Sequence, residues 1–323
     1  MRAVRRDGTQ PLTPDPSRFY DGGIDACKEE QEEEVPPDPG SPVRIELIRT
    51  YDGDRERFKM KRRIAYNDRH VGVLLVPSAT RTFKSDLTSV PACFTWLVPK
   101  TGRHLPATLL HDGLVHETAD LTYTSARGKK VLRVEADRVL RDAMADAGTA
   151  PIRRWLVWSG VALMTMLHGK GTGWSKTREW VYRLIAGGTL GVILFLGIWA
   201  GLDLFDVTCI TELPWMGDRP WWIELVGGLS GAVVISLVLA LVFWGRFRIV
   251  GAVVGVSLAV LLPVTLAVLL VTGIYLVVEG FTSCVPKVAK LLAGVAVAGL
   301  LFLFVLFVLA YYQLGVDWAF FQR

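Results

Sequence analysis

The segment Leu105-Pro106-Ala107-Thr108-Leu109-Leu110-His111-Asp112-Gly113-Leu114-Val115-His116 places an imidazole and a carboxylate side by side in a largely apolar run. Burying such groups is expensive unless they are paired. Asp137 offers the partner. It lies in the helical run Val134 to Ala147, with Val134 at i−3 and Met144 at i+7, so its carboxylate borders an apolar stripe. If the two helices pack antiparallel, Asp137 reaches His111. An imidazole fixed by a carboxylate is a general base. Asp112, on the adjacent face, would then hold a divalent cation. The plainer alternative is a buried structural network of His111, Asp112 and Asp137, which also perturbs titration.

A second polar stretch is Ser85-Asp86-Leu87-Thr88-Ser89-Val90-Pro91. Asp86 and Ser89 have catalytic residue types, but their setting reads as a turn and helix cap before Val90 to Leu97. His116 and His168 read as helix-end residues. The four cysteines, Cys27, Cys93, Cys209 and Cys284, show no close spacing of a zinc site.

Together these motifs carry a resemblance. Residues 84 to 175 resemble a family of unknown function common in tailed phages and phage-like islands of bacterial genomes. Its pattern runs T-D-x-x-S-x-P, then H-D-x-x-Y, then A-D-x-x-F-x-x-x-M, then a basic helix ending near glycine and tryptophan. This chain has Asp86, Ser89 and Pro91, then His111-Asp112, then Ala136-Asp137 with Met144, then Arg153-Arg154-Trp155 and Gly169 to Trp174. Ser85, Val115 and Leu140 stand where the pattern has threonine, tyrosine and phenylalanine. The resemblance implies a partner such as a phage tail or a related contractile injection assembly.

The H-D-x-x-Y and D-x-x-F arrangement is also similar to secreted phospholipase A2 enzymes. That likeness implies His111 as the water-activating base, Asp112 as a calcium ligand and Asp137 as the group that orients the histidine. A metal phosphohydrolase of the H…HD…D type is a weaker analogy, with His70 or His104 as its first ligand.

These residues need elements to position them. Residues 1–42 hold seven prolines and the acidic run Glu29 to Glu34, broken by Gln31. Such a segment buries too little apolar surface to offset its chain entropy, so a disordered tail is expected. Residues 43–83 read as strands: Val43 to Ile48 alternates, Phe58 to Lys61 alternates, and Val71 to Val76 is a short apolar run. Asp52-Gly53-Asp54 signals a turn. Residues 84–175 read as helices over Leu105 to His116, Val134 to Ala147 and Ile152 to Leu167. The third is too short to span a bilayer and is expected to be a core or interfacial helix.

From residue 184 onward charge nearly vanishes. Apolar stretches at 184–202, 225–244, 249–278 and 291–314 are each long enough to cross a membrane. The expected architecture is an α+β soluble domain at 43–175, built from a small antiparallel sheet and about three helices. An all-α transmembrane four-helix bundle follows at 176–323. Lys170, Lys176, Arg178 and Arg183, with Arg246 and Arg248, place the flanks of spans one, two and three inside, while Asp203, Asp206, Glu212 and Asp218 lie outside. Lys287 and Lys290 run against this assignment. The N-terminus shows no secretory signal. The expectation is therefore a multi-pass protein of the inner (plasma) membrane with both termini cytoplasmic. Cys209 and Cys284 fall in the outer loops, either bonded to each other or as two thiols.

Glycines at i, i+4 (Gly187 and Gly191, Gly227 and Gly231, Gly251 and Gly255) allow close helix approach within the bundle or with a second copy. No ionisable residue lies well inside a span, which argues against a proton relay or charged-solute carrier. The net charge of +5 and the clusters Arg55-Arg57-Lys59-Lys61-Arg62-Arg63 and Arg127-Lys129-Lys130 come with no nucleic-acid recognition motif. Attraction to membrane lipid fits them better, and no nucleic acid is expected. Two functions follow: a membrane-anchored docking module that needs no cofactor, or a His-Asp hydrolase that uses a divalent cation such as calcium.

Overall fold

A computed structural model of the chain describes residues 18–25, 34–53, 55–87, 99, 101–115, 121–128, 130–205, 211–217, 219–284, 302 and 305. The chain divides into two units, 1–263 and 264–323. The first holds two small antiparallel sheets and five helices among the described residues. The strands are β1 (Phe19–Asp21), β2 (Leu47–Asp52), β3 (Arg55–Met60), β4 (Ile64–Asp68), β5 (Gly72–Val76), β6 (Lys84–Ser85) and β7 (Thr124–Ser125). The helices are α1 (Leu105–Val115), α2 (Arg133–Asp146), α3 (Pro151–His168), α4 (Lys176–Leu204) and α5 (Trp221–Phe243). A sixth helix, α6 (Arg248–Cys284), starts in the first unit and supplies residues 264–284 of the second.

One sheet has the order β1-β4-β5-β7 and the other β2-β3-β6. Strands β4 and β5 form the central hairpin, with Ile64 opposite Val76 and Asp68 opposite Gly72. Ile64, Ala65 and Tyr66 are all fully buried, so β4 is covered on both faces and lacks the alternation of a half-exposed strand. Helices α1 and α2 cover this hairpin through Leu109, Leu110, Val139, Leu140 and Met144. The approach of α1 is close: a Cβ on Gly113 would lie 2.2 Å from Val76 Cγ1.

The extended segment begins as expected but pairs later. Val43, Ile45 and Leu47 alternate with exposed neighbours and pack on the core, yet the ladder starts only at Leu47, opposite Met60. Burial rather than pairing sets that alternation. The expected turn holds Gly53 at φ 60°, a conformation glycine adopts freely.

The tail also departs from expectation. Phe19–Asp21 is a buried strand on β4, and Phe19 packs on Tyr66 with ring centroids 4.6 Å apart. Two arginines pin it. Arg62 pairs with Asp21. Arg63, itself buried, donates to the carbonyls of Gly22 (3.0 Å), Ile24 (3.2 Å) and Val35 (3.3 Å). These two members of the basic cluster therefore hold the tail in place and are unavailable for lipid.

Helix α3 joins two cores. Val157, Trp158 and Val161 pack with the α+β core. Ala162, Met166, Leu163 and Leu167 pack with a second core that holds Ala186 of α4, Ala240 of α5, and Trp244, Phe247 and Val250. Trp158 touches both. The helix stops at Gly169, whose left-handed conformation (φ 69°) turns the chain toward α4. The expectation of a core helix rather than a span fits this placement.

Helices α4, α5 and α6 are long and apolar enough to cross a membrane, and most of each is uncovered. Helices α4 and α6 extend beyond their expected spans because polar flanks remain helical, with α4 beginning at Lys176, capped by the Ser175 hydroxyl, whereas α5 starts four residues early at Trp221 and ends at Phe243. The fourth expected span, 291–314, lies outside the described residues, apart from helical positions 302 and 305.

The glycine pairs behave differently from one another. Gly227 and Gly231 seat Trp215 of the α4–α5 connection: a Cβ would lie 2.4 Å from the Trp215 carbonyl oxygen at Gly227 and 2.8 Å from its indole nitrogen at Gly231. Gly251 seats Trp244, and Gly255 fits against Ile193 and Ser236. Gly187 and Gly191 meet nothing within 4 Å.

Candidate functional site

The structure brings His111 and Asp137 together. Leu105–Val115 forms α1 and Arg133–Asp146 forms α2, and the two pack against each other. His111 Nε2 donates to Asp137 Oδ1 at 2.9 Å. The pair is buried, with His111 8% and Asp137 3% exposed, among the aliphatic side chains of both helices. Asp137 Oδ2 is buried with no hydrogen-bond partner. Among the described residues His111 Nδ1 makes no hydrogen bond. An aspartate that engages Nε2 leaves Nδ1 as the nitrogen able to take a proton.

Asp112 follows on the next face and is partly buried. Among the described residues no three His, Cys, Asp or Glu side chains gather closely enough to hold a metal ion. Calcium needs six to eight oxygen ligands. His104, a first-ligand candidate by analogy, is fully buried at the start of α1 and hydrogen-bonds through Nε2 to the Pro99 carbonyl at 3.0 Å. Burial lowers its pKa below the ordinary histidine value. His70 donates its backbone N–H to Asp68.

Asp86 lies where the chain leaves β6 and pairs with Arg57 at 3.6 Å. The turn there is made by Ser85, whose hydroxyl accepts from the Leu87 N–H at 2.9 Å. Leu87 is held at φ 67°, a left-handed conformation that a leucine enters at a cost of about 1–2 kcal/mol. Ser89, Pro91 and Cys209 lie outside the described residues, as does the side chain of Cys284.

Beside the dyad, α2 carries a polar face that the sequence reading passed over. Arg138 forks onto Asp68 with hydrogen bonds of 2.9 and 3.0 Å, and reaches Asp142 at 3.1 Å. Asp68 also accepts the N–H groups of His70 and Val71 at 2.9 and 2.8 Å. Burial pushes the Asp68 pKa up, but Arg138 and the two amides outweigh it and bring it down to about 2. One turn on, Asp146 accepts from the Tyr66 hydroxyl at 2.8 Å and from Arg69 at 2.8 Å. Burial and the Asp146 carboxylate raise the Tyr66 pKa well above the phenol range. The available signal was the spacing of Arg138, Asp142 and Asp146 at i, i+4 and i+8 on α2.

These features coincide with a family match. Residues 58–161 match the model of a family described as "Protein of unknown function (DUF1353)". The match runs from β3 into α3 and so includes His111, Asp137, Asp68 and Arg138. No curated protein and no solved structure matches the chain. The segment that carries the buried dyad is thus similar to an uncharacterised domain family, and the apolar helices lie beyond it.

Proposed function

We propose that this chain is a membrane-anchored docking protein, in which the α+β unit is presented to the cytoplasm and the apolar helices hold it in the inner membrane. The observation that carries the reading is the double packing of α3. One helix belongs to both the α+β core and the core around Trp244, so load on the unit passes directly to α4 and α5. A module that holds an assembly at a membrane needs such a connection, whereas an enzyme reaching for lipid works equally well on a linker. The closed His111–Asp137 pair acts as a brace between α1 and α2. The phage-type motif pattern points to a phage-tail-like or contractile injection assembly as the partner. A second copy would meet the chain along Gly187 and Gly191, whose surface is open.

The second reading is a phospholipase A2-like hydrolase. Asp137 holds Nε2 of His111 and leaves Nδ1 without a partner, which is the arrangement of an oriented base. Among the described residues no three His, Cys, Asp or Glu side chains gather to hold the calcium ion that such a hydrolase would use.

The test compares the full chain with His111→Ala and Asp137→Ala in lipid, with and without calcium, scoring phospholipid hydrolysis and melting together. Docking predicts no calcium-dependent hydrolysis in any sample and lower melting temperatures in both variants. Hydrolysis that disappears in folded variants would overturn docking in favour of the enzyme. Proteoliposomes carrying the wild-type chain should retain purified phage-tail-like particles that bare liposomes release.

A further inference from the structure

We propose that Arg178 and Arg246 form a headgroup site for an anionic phospholipid, independently of the role assigned to the dyad. Three rings make its floor. Trp174 and Tyr182 have centroids 4.6 Å apart, Tyr182 and Phe247 5.2 Å, and Trp174 and Phe247 5.9 Å. Both guanidinium groups lie on this cluster. Arg178 is 5.9 Å from the Trp174 centroid and 5.7 Å from that of Tyr182. Arg246 is 5.4 Å from Trp174 and 4.9 Å from Phe247.

The two differ from the cations beside them. Arg183 donates to the Leu167 and His168 carbonyls at 2.7 and 2.6 Å and sits 3.7 Å from Glu179, which closes the end of α3. Arg248 donates to the Gly245 carbonyl. Among the described residues the side chains of Arg178 and Arg246 have neither an acidic partner nor a hydrogen bond, and both are exposed. Contact with the rings holds both guanidinium groups at the cluster, and their N–H groups have no protein acceptor among the described residues. A planar, weakly hydrated guanidinium on an aromatic face is suited to forking onto phosphate oxygens.

The position selects a lipid over a free anion. The start of α4, the end of α5 and the Gly245–Phe247 turn meet at one end of the apolar helices, where Trp244 Nε1 donates to Thr189 Oγ1 at 3.1 Å. Immediately beyond lie the exposed apolar side chains Val181 and Leu184 of α4, Val242 and Phe243 of α5, and Ile249 of α6. A phosphate held by the arginines would lay its acyl chains along that surface. Basic side chains at this depth draw acidic headgroups.

The test uses the full chain in a zwitterionic detergent and counts bound lipid by native mass spectrometry. The ligands are phosphatidylglycerol, phosphatidylcholine and inorganic phosphate. Wild type should retain phosphatidylglycerol over phosphatidylcholine, and inorganic phosphate at equal concentration should not displace it. Arg178→Gln and Arg246→Gln should each weaken retention about fivefold, with the exposed Arg103→Gln of the α+β unit as the unaffected control. Melting of each variant checks the fold. If one of the two variants fails to fold, the other decides by the same readout. Wild-type retention in folded variants overturns the site. So does equal retention of phosphatidylcholine, and displacement by inorganic phosphate would mark a free-anion site instead.

Discussion

His111 Nε2 and Asp137 Oδ1 stand 2.9 Å apart, joining α1 to α2 across 26 residues of sequence. Both side chains are buried, yet Asp137 Oδ2 has no hydrogen-bond partner. Removing one member of a buried polar pair strands the other, which costs more than the bond itself contributed. Asp137→Ala should therefore destabilise the protein by about 3 kcal/mol. Asp137→Asn keeps the acceptor for His111 and should cost about 1 kcal/mol. Melting of the full chain in detergent gives the order wild type, Asp137→Asn, Asp137→Ala. Equal melting of wild type and Asp137→Ala would show that the pair braces nothing.

The Asp68–Arg138 contact makes stability depend on acid. The folded-state pKa of Asp68 is lowered to about 2 from an ordinary 3.8. A depressed carboxylate contributes stability that is fully present above about pH 4 and is lost as pH falls toward 2. The contribution is about 2 kcal/mol. The melting difference between wild type and Asp68→Asn should shrink across that window and stay constant from pH 5 to 7.

Gly113 is the place where α1 comes closest to the sheet. In an open helix, Gly→Ala stabilises by about 1 kcal/mol. Here the added methyl would sit 2.2 Å from Val76 Cγ1, so overpacking wins and Gly113→Ala should destabilise by about 1–3 kcal/mol. Val76→Ala removes the obstacle. In a double-mutant cycle the Gly113→Ala penalty should largely vanish in the Val76→Ala background.

Two glycines in the apolar helices should respond in opposite ways. A Cβ on Gly227 meets the Trp215 carbonyl oxygen at 2.4 Å, a backbone atom that cannot rotate away. Gly227→Ala should lower the melting temperature. Gly187→Ala meets nothing within 4 Å and should be neutral or stabilising. Loss of stability at Gly187 would reveal a surface seated on it and would support association of copies along α4.

Periodicity and length alone made much of this protein legible. The helices of the α+β unit are visible because apolar residues recur at helical spacing around Leu109, Leu110, Leu140 and Met144. The apolar stretches that become α4, α5 and α6 are visible because crossing a bilayer requires about 20 residues almost free of charge. The same patterning exposed His111 and Asp137, since polar groups beside an apolar stripe need an explanation.

Tertiary structure decided what local pattern does not encode. Asp68 and Arg138 are 70 residues apart, and the hydrogen-bonding of each is settled only when β4 packs on α2. Phe19–Asp21 lies in a proline-rich, acidic neighbourhood, and it becomes a strand because β4 offers an open edge, Tyr66 offers a ring, and Arg62 and Arg63 hold its polar groups. Spacing placed glycines on helix faces, while packing alone chose which of them seat a tryptophan and which stay open. Helix α3 has the length and composition of a core helix in any context. Its place between two cores depends on surfaces brought together from both sides of it in the chain, because burial is a property of contacts and not of the residues alone.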